Sequence, residues 1–439
     1  MMARLPALSD EGPFREARAA GSDREPEAWT DLDATRLVLD SIRLRGAHSR
    51  TDVMRQTGLA RPAVAQKVGT LIGAGLVDET APVVSTGGRP PRGLRFRAEA
   101  GHLLAADLGA TSIDVAIADL GARVVQSLAE PVDIAAGPEV ILGRVEALFD
   151  RLRDLVPDGI GPLCGIGIGV PGPVEFSTGR PVSPPIMPGW DRYPVRDRFE
   201  ARYASPVWVD NDVNVMGIGE WRWGASRGHE NVVWVKIGTG IGAGLISDGL
   251  PHRGAQGAAG DVGHIQVVDE GVVCRCGNIG CLEALAGGAA LARDAELAAR
   301  SGKSSWLAEE LDRAGALTAA AVATGARHGD QASVELLQRS GRLVGHMLAT
   351  VVNLFNPSLI VIGGGVALAG DAYLATIREA VYRRSLPLAT RDLLVLPTEL
   401  GQMAGVIGAA AMTADELFGR GHLAAMLARS TPISETRSA

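Results

Sequence analysis

Between Asp31 and Leu44 apolar side chains recur at helical spacing, at Leu37, Val38, Ile42 and Leu44. Ser49 offers a cap for a short second helix from about Arg50 to Thr57, which Gly58 ends. A third helix is predicted from Arg61 to about Ala74. Pro62 suits its first turn, where a missing N–H costs nothing, and Val64, Val68, Leu71 and Ile72 share one face. Gly75 stops that helix, Leu76-Val77-Asp78 begins a strand, and Leu94-Arg95-Phe96 reads as its partner. Two short helices joined by a tight turn, then a strand pair, make a helix-turn-helix with a wing. The wing would span Ser85 to Gly93 and carry Arg89 and Arg92 at its tip.

Beyond Gly101 the pattern changes. His102 to Leu108 reads as a buried strand that turns at Gly109-Ala110-Thr111, and alternation from Ile113 to Ala118 completes a hairpin. A second hairpin, Trp234 to Ile246, is interrupted by Gly238-Thr239-Gly240. The strand Leu359 to Ile362 runs into Gly363-Gly364-Gly365. Each glycine turn is either a plain tight turn or a loop whose backbone N–H groups approach phosphate. Three at wide spacing point to a two-lobed actin-like/hexokinase architecture with nucleotide in the cleft between lobes. The helices Val334 to Asn353 and Met403 to Leu417 have small and apolar faces and are assigned to lobe core. The expected fold class is α/β, with an N-terminal winged helix-turn-helix followed by that two-lobed module.

Charge sharpens this division. The chain of 439 residues carries a net −7, which by itself does not point to nucleic acid. Residues 31–100, however, hold 11 basic and 7 acidic side chains, while residues 101–439 hold 28 and 37. A basic module preceding an acidic one marks a DNA-binding head, although a three-helix protein-interaction module would look similar. Arg61, Gln66 and Lys67 occupy the polar side of the third helix, where Gln can read a base edge and Arg or Lys can hold phosphate. Arg89 and Arg92 in an extended wing suit a narrow minor groove. Residues 1–30 read as a flexible tail without the apolar core of a signal peptide, and no apolar run approaches a membrane span. A cytoplasmic protein is expected.

Three of the four cysteines lie within eight residues, at Cys274, Cys276 and Cys281, and His264 precedes them. Three thiolates and an imidazole complete a tetrahedral zinc shell with no open position, which makes the metal structural. A Cys274–Cys281 disulfide would leave Cys276 and Cys164 unexplained. Asp107 at a strand end, with Gly109 and Thr111, can hold hydrated Mg²⁺ beside phosphate. Asp212 follows Val207-Trp208-Val209-Asp210-Asn211 at a strand-to-helix corner. It reads either as a helix cap or as a cleft carboxylate that meets a sugar hydroxyl and, in a kinase, acts as general base. Asn211 would bond a neighbouring hydroxyl.

These residues resemble the ROK family, which contains sugar kinases and sugar-responsive repressors. Gly238 to Gly244, Gly254, Gly257, Gly260 and Gly263-His264 resemble its signature, and Cys274-x-Cys276-Gly277-x-x-Gly280-Cys281-x-Glu283 its zinc motif. The head resembles that of the family's repressor branch. The resemblance implies zinc on His264, Cys274, Cys276 and Cys281, and sugar contacts from Asn211, Asp212, Asp261, His264 and Glu283. It makes Asp212 the base only if the chain is a kinase. ATP and Mg²⁺ would then lie against Asp107, Gly109, Thr111, Gly238, Thr239, Gly240, Gly363, Gly364 and Gly365. Several positions depart from the kinase pattern: Asp261 replaces Glu, Ala110 a Gly, Ser112 a Lys and Ile186 an Asn. The expectation is therefore a sugar-responsive transcriptional regulator, a repressor of carbohydrate-metabolism genes, with an ATP-dependent sugar kinase as the alternative. Its partners would be operator DNA and a sugar effector, as a homodimer or homotetramer. The expected divisions are a head at 31–98 and a sugar module at 99–418. Within the module a small lobe spans about 99–210 with the C-terminal helix, and a large lobe about 211–400. A tail is expected at 419–439.

Overall fold

The computed structural model describes residues 30–82 and 92–430. The head opens with α1 (Asp31–Arg43), α2 (Arg50–Thr57) and α3 (Arg61–Gly73). Ser49 caps α2 by accepting the Asp52 N–H at 3.1 Å, and Gly58 ends it in the left-handed region. β1 (Val77–Pro82) pairs antiparallel with β2 (Arg92–Phe96), Val77 opposite Phe96. The inward residues of α1 are Val38, Leu39 and Ile42; Leu44 falls just past the helix and is exposed.

The first lobe is built on β3 (His102–Leu108), β4 (Ser112–Asp119), β5 (Val124–Pro131), β6 (Leu163–Val170) and β9 (Val207–Asn211), ordered β5-β4-β3-β6-β9. Two short strands, β7 (Val174–Glu175) and β8 (Arg180–Pro181), lie outside it. Helices α4 (Pro138–Arg153) and α5 (Val195–Tyr203) cover one face, packing Phe149 and Phe199 against Leu104, Ile117 and Ile168. α6 (Asp212–Trp223) then leads to the second sheet.

That sheet has the order β12-β11-β10-β13-β14, from β10 (Val232–Ile237), β11 (Ile241–Ser247), β12 (Leu250–Pro251), β13 (Leu359–Gly363) and β14 (Leu394–Pro397). Its helices are α7 (Leu282–Ala286), α8 (Gly288–Arg300), α9 (Ser305–Ala314), α10 (Ala319–Arg327), α11 (Gln331–Phe355), α12 (Asp371–Arg384) and α13 (Pro387–Thr390). The architecture is the two-lobed α/β arrangement expected from the glycine turns. α14 (Ala404–Leu417) returns to the first lobe and is buried along nearly its whole length, packed on α6, β3 and β6.

Residues 419–430 do not form a tail. They make α15 (Arg420–Ser430), which packs on α1 and α3 of the head. One apolar core takes in Val38, Val64 and Leu71 of the head, Leu103 of β3, Leu417 of α14, Phe418 and Leu423 of α15. Phe96 meets Phe418 edge-on at 5.7 Å, and Arg420 pairs with Asp33 at 2.5 Å. Arg43 lies 4.9 Å over the Phe418 ring and pairs with Asp415 at 2.8 Å. The second oxygen of Asp415 accepts from Arg222, in the last turn of α6. Head and module are thus joined by shared apolar packing and by one carboxylate between two guanidinium groups.

Candidate functional site

A cavity of about 1050 Å³ opens between the sheets, where α6 begins. It gathers most of the predicted cleft residues: Asp107, Gly109 and Thr111 from the β3–β4 turn, Asn211 and Asp212 from the β9–α6 corner, and Gly238, Thr239 and Gly240 from the β10–β11 turn. Asp261, His264 and Glu283 line the same space, as do Gly364 and Gly365 after β13. Gly363 does not. It is the last residue of β13, and a Cβ there would lie 2.6 Å from the Trp234 ring. The positive φ of +89° belongs to Gly364, where the chain turns under Ile237.

At the corner, Asn211 rather than Asp212 is the helix cap. Its Oδ1 accepts the Val213 and Asn214 N–H groups, and its Nδ2 donates to the Gly172 carbonyl. Asp212 accepts its own Val213 N–H on Oδ1 and the Lys236 ammonium on Oδ2 at 2.5 Å. Lys236 was not foreseen. The signal was visible as one cation in the otherwise apolar strand Val232–Ile237. Burial works against its charge, but Asp212 and then Asp107 hold its proton more tightly than usual. Asp107 is buried, and its Oδ1 has no hydrogen-bond partner among the described residues. Burial pushes its carboxyl up to about 8; Lys236 opposes the shift, and Asp212 and Asp114 add to it. In the β3–β4 turn Ser112 supplies no cation and instead donates to Asp114 at 3.2 Å.

Glu283 sits at the start of α7, and its Oε2 accepts the Ile241 N–H at 3.1 Å. This is possible because residue 240 is glycine: a Cβ there would lie 2.1 Å from that oxygen. Beside it, His264, Cys274, Cys276 and Cys281 bring one ligand atom each within 4.8 Å of the others. Cys276 and Cys281 sulfurs are 3.7 Å apart, and Cys274 Sγ is 3.5 Å from His264 Nδ1. Tetrahedral bonds of about 2.3 Å to sulfur separate two sulfurs by about 3.8 Å. The donor set therefore fits zinc. Binding through Nδ1 would leave Nε2 toward Asp261, which lies 4.0 Å away.

On the head, Arg61 and Gln66 are exposed on α3. Lys67 is not available to DNA. It is 3% exposed and its ammonium is paired with Asp31 at the start of α1. Arg92 pairs with Glu79 at 2.5 Å, and Arg50 joins the same carboxylate at 2.7 Å. Arg89 lies outside the described residues. No helix among the described residues is long and apolar enough to cross a membrane.

The ROK family model matches residues 103–416. A xylose repressor of Caldicellulosiruptor bescii is 29% identical over 385 residues, covering 87% of this chain and 95% of the repressor. A glucokinase of Halalkalibacterium halodurans is 34% identical over 303 residues, covering 69% of this chain and 92% of the kinase. The crystal structure of a ROK family transcriptional regulator, a homolog of the E. coli MLC protein, superposes with a TM-score of 0.76 at 27% identity. That match covers 91% of this chain and 99% of the regulator, so it includes the head.

Proposed function

The chain belongs to the ROK family, and we propose that it is a sugar-responsive transcriptional repressor whose effector binds in the interlobe cleft. The observation that carries this reading is the joint between head and module. α6 starts at Asp212 in the cleft, and Arg222 in its last turn shares Asp415 with Arg43 of the head. A ligand that displaces the start of α6 acts on a rigid helix whose far end is tied to α1. The effector must bind the DNA-competent and released arrangements with different affinity; only that difference can shift the equilibrium.

We assign 31–98 to operator binding, with Arg61 and Gln66 on α3 at the bases and Arg89 and Arg92 at the wing. Two copies would place two heads on a palindromic site. Asn211, Asp212, Asp261, His264 and Glu283 are assigned to the sugar. Zinc on His264, Cys274, Cys276 and Cys281 would aim the imidazole and fix its tautomer. The similarity to a xylose repressor supports this reading, since it covers 87% of this chain where the glucokinase similarity covers 69%.

The deciding measurement is binding to DNA upstream of the chain's own gene, with and without a panel of pentoses, hexoses and amino sugars. Nanomolar, sequence-selective binding that one sugar weakens is the expected result. Binding that is non-selective, or indifferent to every sugar, refutes the proposal. The kinase alternative draws on Asp212 beside the glycine turns, but Lys236 already occupies Asp212 Oδ2. Sugar-dependent ADP release that disappears in Asp212→Ala would establish it.

A further inference from the structure

Arg253 is absent from the cavity lining, yet it touches both sides of the cleft. It follows β12 of the second lobe and reaches the first lobe through two contacts. Its Nε donates to Asp210 Oδ2 at 2.6 Å, and its guanidinium carbon lies 3.9 Å from the centre of the Phe176 ring. Asp210 is 1% exposed at the end of β9, directly before Asn211 and Asp212. Its other oxygen accepts the Asn214 side-chain amide at 2.9 Å and the Asn211 N–H at 2.8 Å. The carboxylate thereby takes three donors, two from the β9–α6 corner itself and the third, Arg253, from beyond β12 of the second sheet.

Arg253 also begins the segment that carries Asp261 and His264. Its carbonyl accepts the Ala259 N–H at 3.1 Å, which closes the loop into a compact turn. The same loop runs against β7: a Cβ on Gly257 would lie 2.2 Å from the Val174 carbonyl oxygen. One ion pair therefore ties the Asn211–Asp212 corner to the Asp261–His264 loop. Burying such a pair adds little net stability, but removing one partner strands the other in a dry site. Lysine is a poor replacement, because the planar guanidinium both stacks on the ring and aims its N–H along the carboxylate.

We propose that Arg253 is a positioning residue for the effector site, holding Asn211 and Asp212 in register with Asp261 and His264 across the cleft. The effector then meets a site already assembled, and its binding energy is not spent on ordering the loop. This rests on the reading of the cleft as the effector site.

The test uses full-length, zinc-loaded protein and its Arg253→Gln and Arg253→Lys variants, each checked for fold by near-UV circular dichroism and zinc content. Hydrogen exchange of amides 255–264 is measured without sugar, and D-xylose and D-glucose affinities by calorimetry. Arg253→Gln should speed exchange in that segment at least tenfold and weaken sugar binding at least tenfold. Arg253→Lys, which keeps the charge but not the stacking, should fall between it and the parent. Unchanged exchange overturns the proposal whatever the sugar does. Faster exchange with unchanged sugar affinity also overturns it, by reducing the pair to a structural contact. A parent protein that binds neither of these, nor any other pentose, hexose or amino sugar of the panel, removes the effector reading and this proposal together.

Discussion

Two carboxylates, buried Asp107 in the cleft and half-buried Asp415 at the joint below the head, have opposite fates. Both lose water, Asp107 nearly all of it and Asp415 part, which favours the neutral acid. Asp107 follows that tendency: its proton is held up to about 8, its Oδ1 has no hydrogen-bond partner among the described residues, and Asp212 and Asp114 add to the shift. At Asp415 burial pushes the same way, but Arg222 and Arg43 outweigh it and hold the carboxyl below its ordinary value. Burial alone therefore does not decide a carboxylate's state; the count of cations against it does. The cleft faces Asp107, Asp114 and Asp212 with Lys236, leaving acceptor capacity for a ligand. The joint faces one carboxylate with two guanidinium groups, which leaves nothing over.

The largest expected effect separates the two regions outright. Removing zinc with a chelator, or with Cys281→Ser, should abolish the sugar response while operator binding persists, because the cysteine cluster borders the cleft and not the joint. Metal content by atomic emission and operator titrations with sugar would show it. Retained sugar response in zinc-free protein would break the link between knot and pocket.

Next in size, Asp415→Ala leaves Arg222, 12% exposed, without this partner and Arg43, 4% exposed, with Asp40 alone at 3.3 Å. Stranding a buried charge costs about 3 kcal/mol. Urea denaturation should show a loss of that order, and Asp415→Asn a smaller one. A loss below about 0.5 kcal/mol would mean that the joint is held by apolar packing alone.

The smallest effect is a change in pH dependence. Between the unfolded Asp value near 3.8 and about 8, folded Asp107 keeps a proton that the unfolded chain has released. Its contribution to stability is therefore fully present below that range and is lost as pH rises through it. Asp107→Asn should flatten the decline in melting temperature between about pH 4 and 8 by a few degrees. An unchanged slope would show that Asp107 is ionised and paired.

Local signals in the sequence were enough for the head's helices. Ser49, Gly58 and Pro62 act within one turn of where they stand, and the three glycine turns do the same for the cleft. The candidate metal-binding residues were legible because three of them fall in a single loop. What escaped was set by distant partners. Lys67 looked like part of a basic face, but it is buried and its ammonium pairs with Asp31 of another helix. α15 looked like a tail because its apolar content is modest and only the head's surface gives Leu423 a place. Lys236 and Arg253 belong to no motif, and each matters through a carboxylate contributed by another element.

The core that closes under the head has a consequence for how the chain is made. Val38 and Val64 leave the ribosome early, whereas Leu417, Phe418 and Leu423, which cover them, are synthesised long afterwards. A nascent or truncated chain thus carries a head whose apolar underside is bare, open to chaperones and proteases. Chains that end before Leu417 would keep that underside exposed. The late closure makes the packing of the first helices depend on the last ones synthesised.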